Sequence, residues 1–82
     1  MGLQISLEKI EDAHNYVLYA FGPPGAPVAR VRLYKSSADI ELASLSETSD
    51  DADPRYYLAQ AVPRLRSYQE RETYPDTDRW EV

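Results

Sequence analysis

The chain has 82 residues, a formal net charge of −5 at pH 7 and a sequence pI of about 4.7. It contains no cysteine, which excludes disulfides and thiolate metal sites. A chain this short forms one small domain with a thin core. It has no apolar run near the roughly 20 residues of a membrane span and no pattern typical of a signal peptide. We therefore expect a cytoplasmic protein with no membrane contact.

The first half of the chain is patterned as β-structure. Residues 3–10 alternate between apolar and polar side chains, which predicts a half-buried strand. Residues 16–21 are β-branched and aromatic, as is typical of a central strand. The polar segment between these strands contains the only histidine, His14.

Two more strands are predicted before residue 46. Residues 22–27, GPPGAP, break the pattern and predict a stiff hairpin loop. Over residues 28–35, apolar side chains alternate with Arg30, Arg32 and Tyr34. Residues 40–45 form the fourth predicted strand, with a bulge or the strand end near Ser44 because the alternation changes there.

A helix is predicted over residues 54–71. Asp53 can cap its N-terminus and Pro54 suits its first position. Pro63 interrupts the helix at a cost of about 3 kcal/mol, yet the apolar pattern continues beyond it, so we expect one kinked helix rather than two short ones. The predicted apolar stripe consists of Leu58, Ala61, Val62, Leu65 and Tyr68.

The remaining residues, 72–82, are predicted to be a polar C-terminal tail. This tail contains Trp80, a residue that disordered segments rarely keep. We expect Trp80 either to fold back against the domain or to contact a partner.

Together these segments predict an α+β domain over residues 1–82. The connections between strands are too short for parallel crossovers, so the four strands should form an antiparallel meander with the C-terminal, Pro-kinked helix on one face. The other face is then uncovered. Its expected side chains are Arg30, Arg32, Tyr34, Glu41 and one of Tyr16 and Tyr19.

The sequence has no motif that indicates catalysis or cofactor binding. His14 has no neighbouring nucleophile, and one histidine cannot build a multi-histidine metal site. The acidic residues around Asp50 lack the glycine and the closing glutamate of a calcium loop. The chain also lacks a phosphate-binding glycine loop. We therefore predict no enzyme activity, no cofactor and no metal.

The aromatic content points instead to binding. The chain has seven tyrosines, more than so small a core can bury, and tyrosine, tryptophan and arginine dominate binding hot spots. We expect a small acidic protein that acts by protein–protein contact, such as an immunity or inhibitor protein for a basic toxin or enzyme. The predicted contact residues are Asp50, Asp51, Asp53, Tyr56, Tyr57, Arg30, Arg32, Tyr34 and Trp80.

Two other functions are compatible with the pattern. The domain could associate with its own copy as a homodimer through the open sheet face or an edge strand. An open sheet with tyrosine and arginine can also stack on single-stranded nucleic acid, but the negative net charge disfavours phosphate binding.

Overall fold

The computed structural model describes residues 4–37, 39–45 and 54–82, which form one antiparallel sheet and one helix. The sheet has five strands in the order β4-β3-β2-β1-β5. The helix, α1, spans Pro54–Arg71 and lies between β4 and β5 in the chain. The strands are β1 Gln4–Asp12, β2 Tyr16–Gly22, β3 Ala29–Tyr34, β4 Ile40–Leu45 and β5 Thr77–Glu81.

The predicted four-stranded meander is confirmed, and the sheet has an additional strand. Strands β1 to β4 pair in sequence order, with Leu7 opposite Phe21 and Tyr19 opposite Val31. The segment predicted as a C-terminal tail contains β5, which pairs antiparallel with β1 at the far edge of the sheet. Its Trp80 lies opposite Ile5, so the pairing gives the strand both backbone hydrogen bonds and an apolar contact.

The core lies between α1 and one face of the sheet. The helix buries residues at a spacing of three or four, which is one stripe of a helix. Of the predicted stripe, Ala61, Leu65 and Tyr68 are buried, while Leu58 and Val62 are half-buried. The sheet buries the side chains that face this stripe, namely Ile5, Leu7, Val17, Tyr19, Phe21, Ala29, Val31 and Leu33.

Helix α1 continues through Pro63. The prediction of one helix rather than two is therefore confirmed. Pro63 is exposed, and the apolar stripe passes along the opposite side. The helix ends with Glu72 in the left-handed conformation, at φ 53°. There the N–H of Glu72 donates to Gln69 O at 3.3 Å and that of Thr73 to Tyr68 O at 3.1 Å, a Schellman cap that satisfies two terminal carbonyls. The expected N-cap, Asp53, lies outside the described residues.

Candidate protein-binding surface

The sheet face that α1 does not cover, here called the outer face, presents a group of paired polar and aromatic side chains. Because Val17 and Tyr19 are buried on the helix side, the alternate residues of β2, including Tyr16, lie on the outer face. Tyr16 lies opposite Tyr34, and Arg32 lies opposite Glu41. We call Tyr16, Arg32, Tyr34, Glu41 and Glu11 the tyrosine cluster.

Side-chain contacts hold the tyrosine cluster together. The ring centroids of Tyr16 and Tyr34 are 6.5 Å apart, with the rings tilted by 31°. The guanidinium carbon of Arg32 lies 4.9 Å from the centroid of Tyr16, within the range of a cation–π contact. Arg32 Nη1 also donates to Glu41 Oε1 at 2.5 Å. These contacts hold the two rings at fixed positions, with a guanidinium beside them.

Both hydroxyls of the cluster donate to carboxylates. Tyr16 donates to Glu11 Oε1 at 2.5 Å, and Tyr34 donates to Glu41 Oε1 at 3.4 Å. The hydrogen bond to Glu11 raises the pKa of Tyr16 because ionisation would place two negative charges side by side. The pKa of Arg32 is also raised, by its contacts with Tyr34 and Glu41. At neutral pH Tyr16 is therefore a neutral phenol and Arg32 a cation.

A polar groove occupies the other half of the outer face. It lies between the β2–β3 loop and the strands β1 and β5, and has a volume of about 480 Å³. The loop contains a type II turn, in which Ala26 N donates to Pro23 O at 3.0 Å and Gly25 has φ 78°. The groove is lined by Ser6, Leu7, Glu8, Gly25, Thr77, Asp78 and Arg79.

Ionic contacts on the helix side of the sheet join β1, β3 and the segment after α1. Lys9 Nζ lies 2.9 Å from Asp76 and 3.3 Å from Asp12, and Lys35 Nζ lies 2.6 Å from Asp12. The hydrogen bond from Lys35 is the largest cause of the lowered pKa of Asp12. Tyr19 donates its hydroxyl hydrogen to Pro75 O at 2.7 Å. These contacts fix the chain that leads into β5.

Asp78 links α1 to β5 from the inner side of the sheet. It accepts a hydrogen bond from the hydroxyl of Tyr68 and lies 3.4 Å from Arg64 Nη1. Arg64 in turn lies 4.7 Å above the ring of Trp80. Trp80 is half-buried and packs against the core, the first of the two alternatives expected from the sequence.

The predicted contact residues differ in position and exposure in the structure. Arg30, Arg32 and Tyr34 lie together on β3 and face outwards, as expected. Tyr56 is 48% exposed at the start of α1, whereas its neighbour Tyr57 is only 5% exposed and belongs to the core. Tyr57 is therefore unavailable to a partner because the helical turn directs it to the sheet. Asp50, Asp51 and Asp53 lie outside the described residues.

Tyr16 is the member of the tyrosine cluster whose face the sequence left open between Tyr16 and Tyr19. Tyr16 and Tyr19 are three positions apart in one strand, so they must lie on opposite faces. The alternation places Tyr19 on the face of Val17 and Phe21, which are buried, and Tyr16 on the face of Leu18, which is half-buried. His14, the histidine of the β1–β2 turn, is exposed.

None of the protein-family models, curated proteins or solved structures compared with the chain matches it. In residues 4–37, 39–45 and 54–82, no helix is both long and apolar enough to cross a bilayer. Within the same ranges, no three histidine or carboxylate side chains are grouped as metal ligands would be.

Proposed function

We propose that the protein is a binding domain without catalytic activity that contacts another protein through the outer face of its sheet. The observation that supports this most directly is the tyrosine cluster, which lies on an uncovered face and is already held by internal contacts. Side chains that are fixed before binding lose less entropy when a partner docks. Tyrosine and arginine are also the residues most often found at binding hot spots.

The charge of the chain favours a basic partner. The net charge is −5, and residues 47–53 add Glu47, Asp50, Asp51 and Asp53 next to the domain in sequence. On the outer face, the carboxylates of Glu11 and Glu41 lie beside the tyrosines. Such a surface would attract a basic protein over long range. An inhibitor or immunity protein that covers the active site of a basic toxin or enzyme fits this description best.

The first test of this proposal is to capture the partner from a host lysate and to ask which tyrosines it needs. Tagged wild-type protein should retain one basic protein at low salt and lose much of it at high salt, since salt screens the attraction. The double variant Tyr16→Ala with Tyr34→Ala should lose the same protein. Hot-spot substitutions of this kind cost about 2 kcal/mol each, which is roughly 30-fold in Kd.

Tyr56→Ala is the matched control, because Tyr56 is 48% exposed and lies on α1 rather than on the outer face. This variant should bind the purified partner as wild type does, and circular dichroism should show that all variants are folded. If Tyr56→Ala loses the partner while the double variant keeps it, the contact surface is the start of α1 and the sheet-face proposal is wrong.

The second candidate function is self-association without any other partner. The specific observation that favours it is the outer edge of β5, which no other described strand pairs with and where opposite charges flank a tryptophan.

A further inference from the structure

Three residues of β5 direct their backbone N–H and C=O groups to an edge of the sheet that no other described strand pairs with. The N–H of Lys9 donates to Asp76 O at 2.8 Å, continuing the register in which Leu7 lies opposite Asp78 and Ile5 opposite Trp80. Hydrogen-bonded pairs alternate with non-hydrogen-bonded pairs in an antiparallel ladder. The outward-pointing N–H and C=O groups are therefore those of Thr77, Arg79 and Glu81.

A second hydrogen bond supports this assignment. The N–H of Arg79 donates to Asp78 Oδ1 at 2.8 Å, so it is directed to a side chain of its own strand and not to β1. In the part of the chain that the structure describes, β5 pairs with β1 alone and is the last strand of the sheet. Among residues 4–37, 39–45 and 54–82, nothing occupies this edge as a further strand.

The side chains on this edge are complementary to a second copy of themselves. Arg79 and Glu81 are two residues apart, lie on the outer face and are exposed. If two β5 strands pair antiparallel with Trp80 opposite Trp80, Arg79 of each copy lies opposite Glu81 of the other. Opposite charges that face each other across strands stabilise the pair, whereas like charges destabilise it.

The same charges disfavour the neighbouring registers. A two-fold pairing centred on Arg79 would place two arginines opposite each other, and one centred on Glu81 would place two glutamates together. Only the register centred on Trp80 joins unlike charges. In that register the two tryptophans form a non-hydrogen-bonded pair, in which side chains approach more closely.

The opposite edge of the sheet lacks this complementarity. In β4 the carboxylate of Glu41 is already bound to Arg32 at 2.5 Å, and the pairing with β3 shifts register between Arg30 and Val31. Leu42 is 41% exposed there, but pairing about Leu42 would place Glu41 opposite Ala43, with no charge to meet it.

We propose that the protein forms a two-fold symmetric dimer in which β5 pairs antiparallel with β5 of a second copy, with Trp80 at the axis. The sheet then runs continuously through both copies. A two-fold axis perpendicular to the sheet keeps both outer faces on one side, so the dimer displays two tyrosine clusters to the same surface. The dimer does not depend on the proposed function, but it would make that binding bivalent.

The contact is small, and we expect a weak dimer that forms in the micromolar to millimolar range. Each copy contributes the backbone groups of only Arg79 and Glu81, and the N–H of Arg79 must leave Asp78 to reach the other strand. Interfaces of this size are typical of transient association. The measurement must therefore cover a wide concentration range.

Charge reversal tests the proposed register by sedimentation equilibrium or light scattering over a concentration series. Arg79→Glu carries two glutamates on the edge and Glu81→Arg carries two arginines, so each variant alone should dimerise at least tenfold more weakly than wild type. An equimolar mixture of the two should recover dimers, because every cross-strand pair is again unlike. The double variant Arg79→Glu with Glu81→Arg should also dimerise as wild type does.

Arg66→Glu is the matched control, since it makes the same charge change at an exposed position of α1. It should dimerise as wild type does, and adding Glu81→Arg should not strengthen its association, because that mixed pair places Arg79 opposite an arginine. A wild-type protein that stays monomeric throughout the series overturns the proposal. So does a mixture of Arg79→Glu and Glu81→Arg that associates no more strongly than either variant alone.

Discussion

The backbone at Gly22 turns out of β2 in a conformation that disfavours any side chain. Its φ is +151°, and an added Cβ would lie 2.7 Å from Val28 N. That nitrogen cannot move away freely, because its N–H donates to Phe21 O at 2.9 Å and closes the loop. The start of the β2–β3 loop therefore depends on a glycine at this position.

Replacing Gly22 by alanine should destabilise the domain by about 2 kcal/mol, within the range typical of strained backbone positions. Gly25→Ala is the control. Its φ is +78°, but an added Cβ would meet no atom within 4 Å, so only the conformational cost of about 1 kcal/mol remains. Urea unfolding of both variants measures the difference. A loss for Gly25→Ala that equals or exceeds that for Gly22→Ala would contradict the steric account.

Single residues also show how far a sequence pattern determines the face on which a side chain lies. Arg30, Arg32 and Tyr34 could be assigned to one face because they alternate strictly with apolar residues. Adjacent helical residues lie about 100° apart, and Tyr57, four residues before Ala61, continues the stripe whereas Tyr56 does not. The predicted stripe began at Leu58 and so missed Tyr57, which is buried while Tyr56 is exposed.

At the scale of elements, α1 tolerates a proline in its interior. Pro63 has no N–H to donate to the carbonyl of Ala59, and its ring crowds that carbonyl. The position is exposed, as is Ala59, so water can reach this side of the helix. The helix is kept by its buried stripe and by the Schellman cap at its C-terminus rather than by an unbroken hydrogen-bond ladder.

Pro63→Ala should therefore stabilise the domain, by as much as about 2 kcal/mol, because it restores one hydrogen bond and removes the clash. Part of the gain is offset by the greater freedom of the unfolded chain. Thermal and urea unfolding measure the change.

The same substitution at Pro24 should have the opposite sign. Pro24 is exposed at the second position of the type II turn, where proline is favoured. Pro24→Ala should cost up to about 1 kcal/mol. A Pro63→Ala variant that is no more stable than wild type would show that the proline is required in the native helix.

Strand β5 was the element that the sequence did not reveal. Thr77–Glu81 has the sequence TDRWE, with Trp80 as its single apolar residue, and so lacks the alternation expected of a strand. Its place in the sheet depends on contacts that are distant in sequence, including pairing with β1 and the bonds from Tyr68 and Arg64 to Asp78. Strands β1 to β4 and α1 were predictable because their patterns are local.

At the scale of the whole molecule, the contacts that stabilise the fold lie on the face opposite the proposed binding surface. One helix covers one face of the sheet, and the described core is built from that contact. The outer face contributes a cluster whose members bond mainly to each other. Substitutions there should therefore change binding more than folding, which is why the tyrosine variants above are informative.

The core also makes the domain sensitive to alkaline pH. Tyr19 and Tyr68 are 0% and 2% exposed, with ring centroids 5.9 Å apart. Burial is the main cause that raises the pKa of both hydroxyls, and Asp78 beside Tyr68 adds to it. In the unfolded chain both should titrate near pH 10. Above that pH the unfolded chain releases protons that the folded protein keeps.

The stability contributed by these two tyrosines is thus complete below about pH 10 and falls as the pH rises towards their folded pKa values. Two protons correspond to a slope of about −2.7 kcal/mol per pH unit. Urea unfolding between about pH 9 and 11 measures this slope, and in Tyr68→Phe the contribution should be halved, because one of the two groups no longer titrates. The variant also loses the hydrogen bond to Asp78, so its stability is lower at every pH, and the slope rather than the absolute value is the test. An unchanged slope in Tyr68→Phe would mean that alkaline unfolding is driven by groups outside the core.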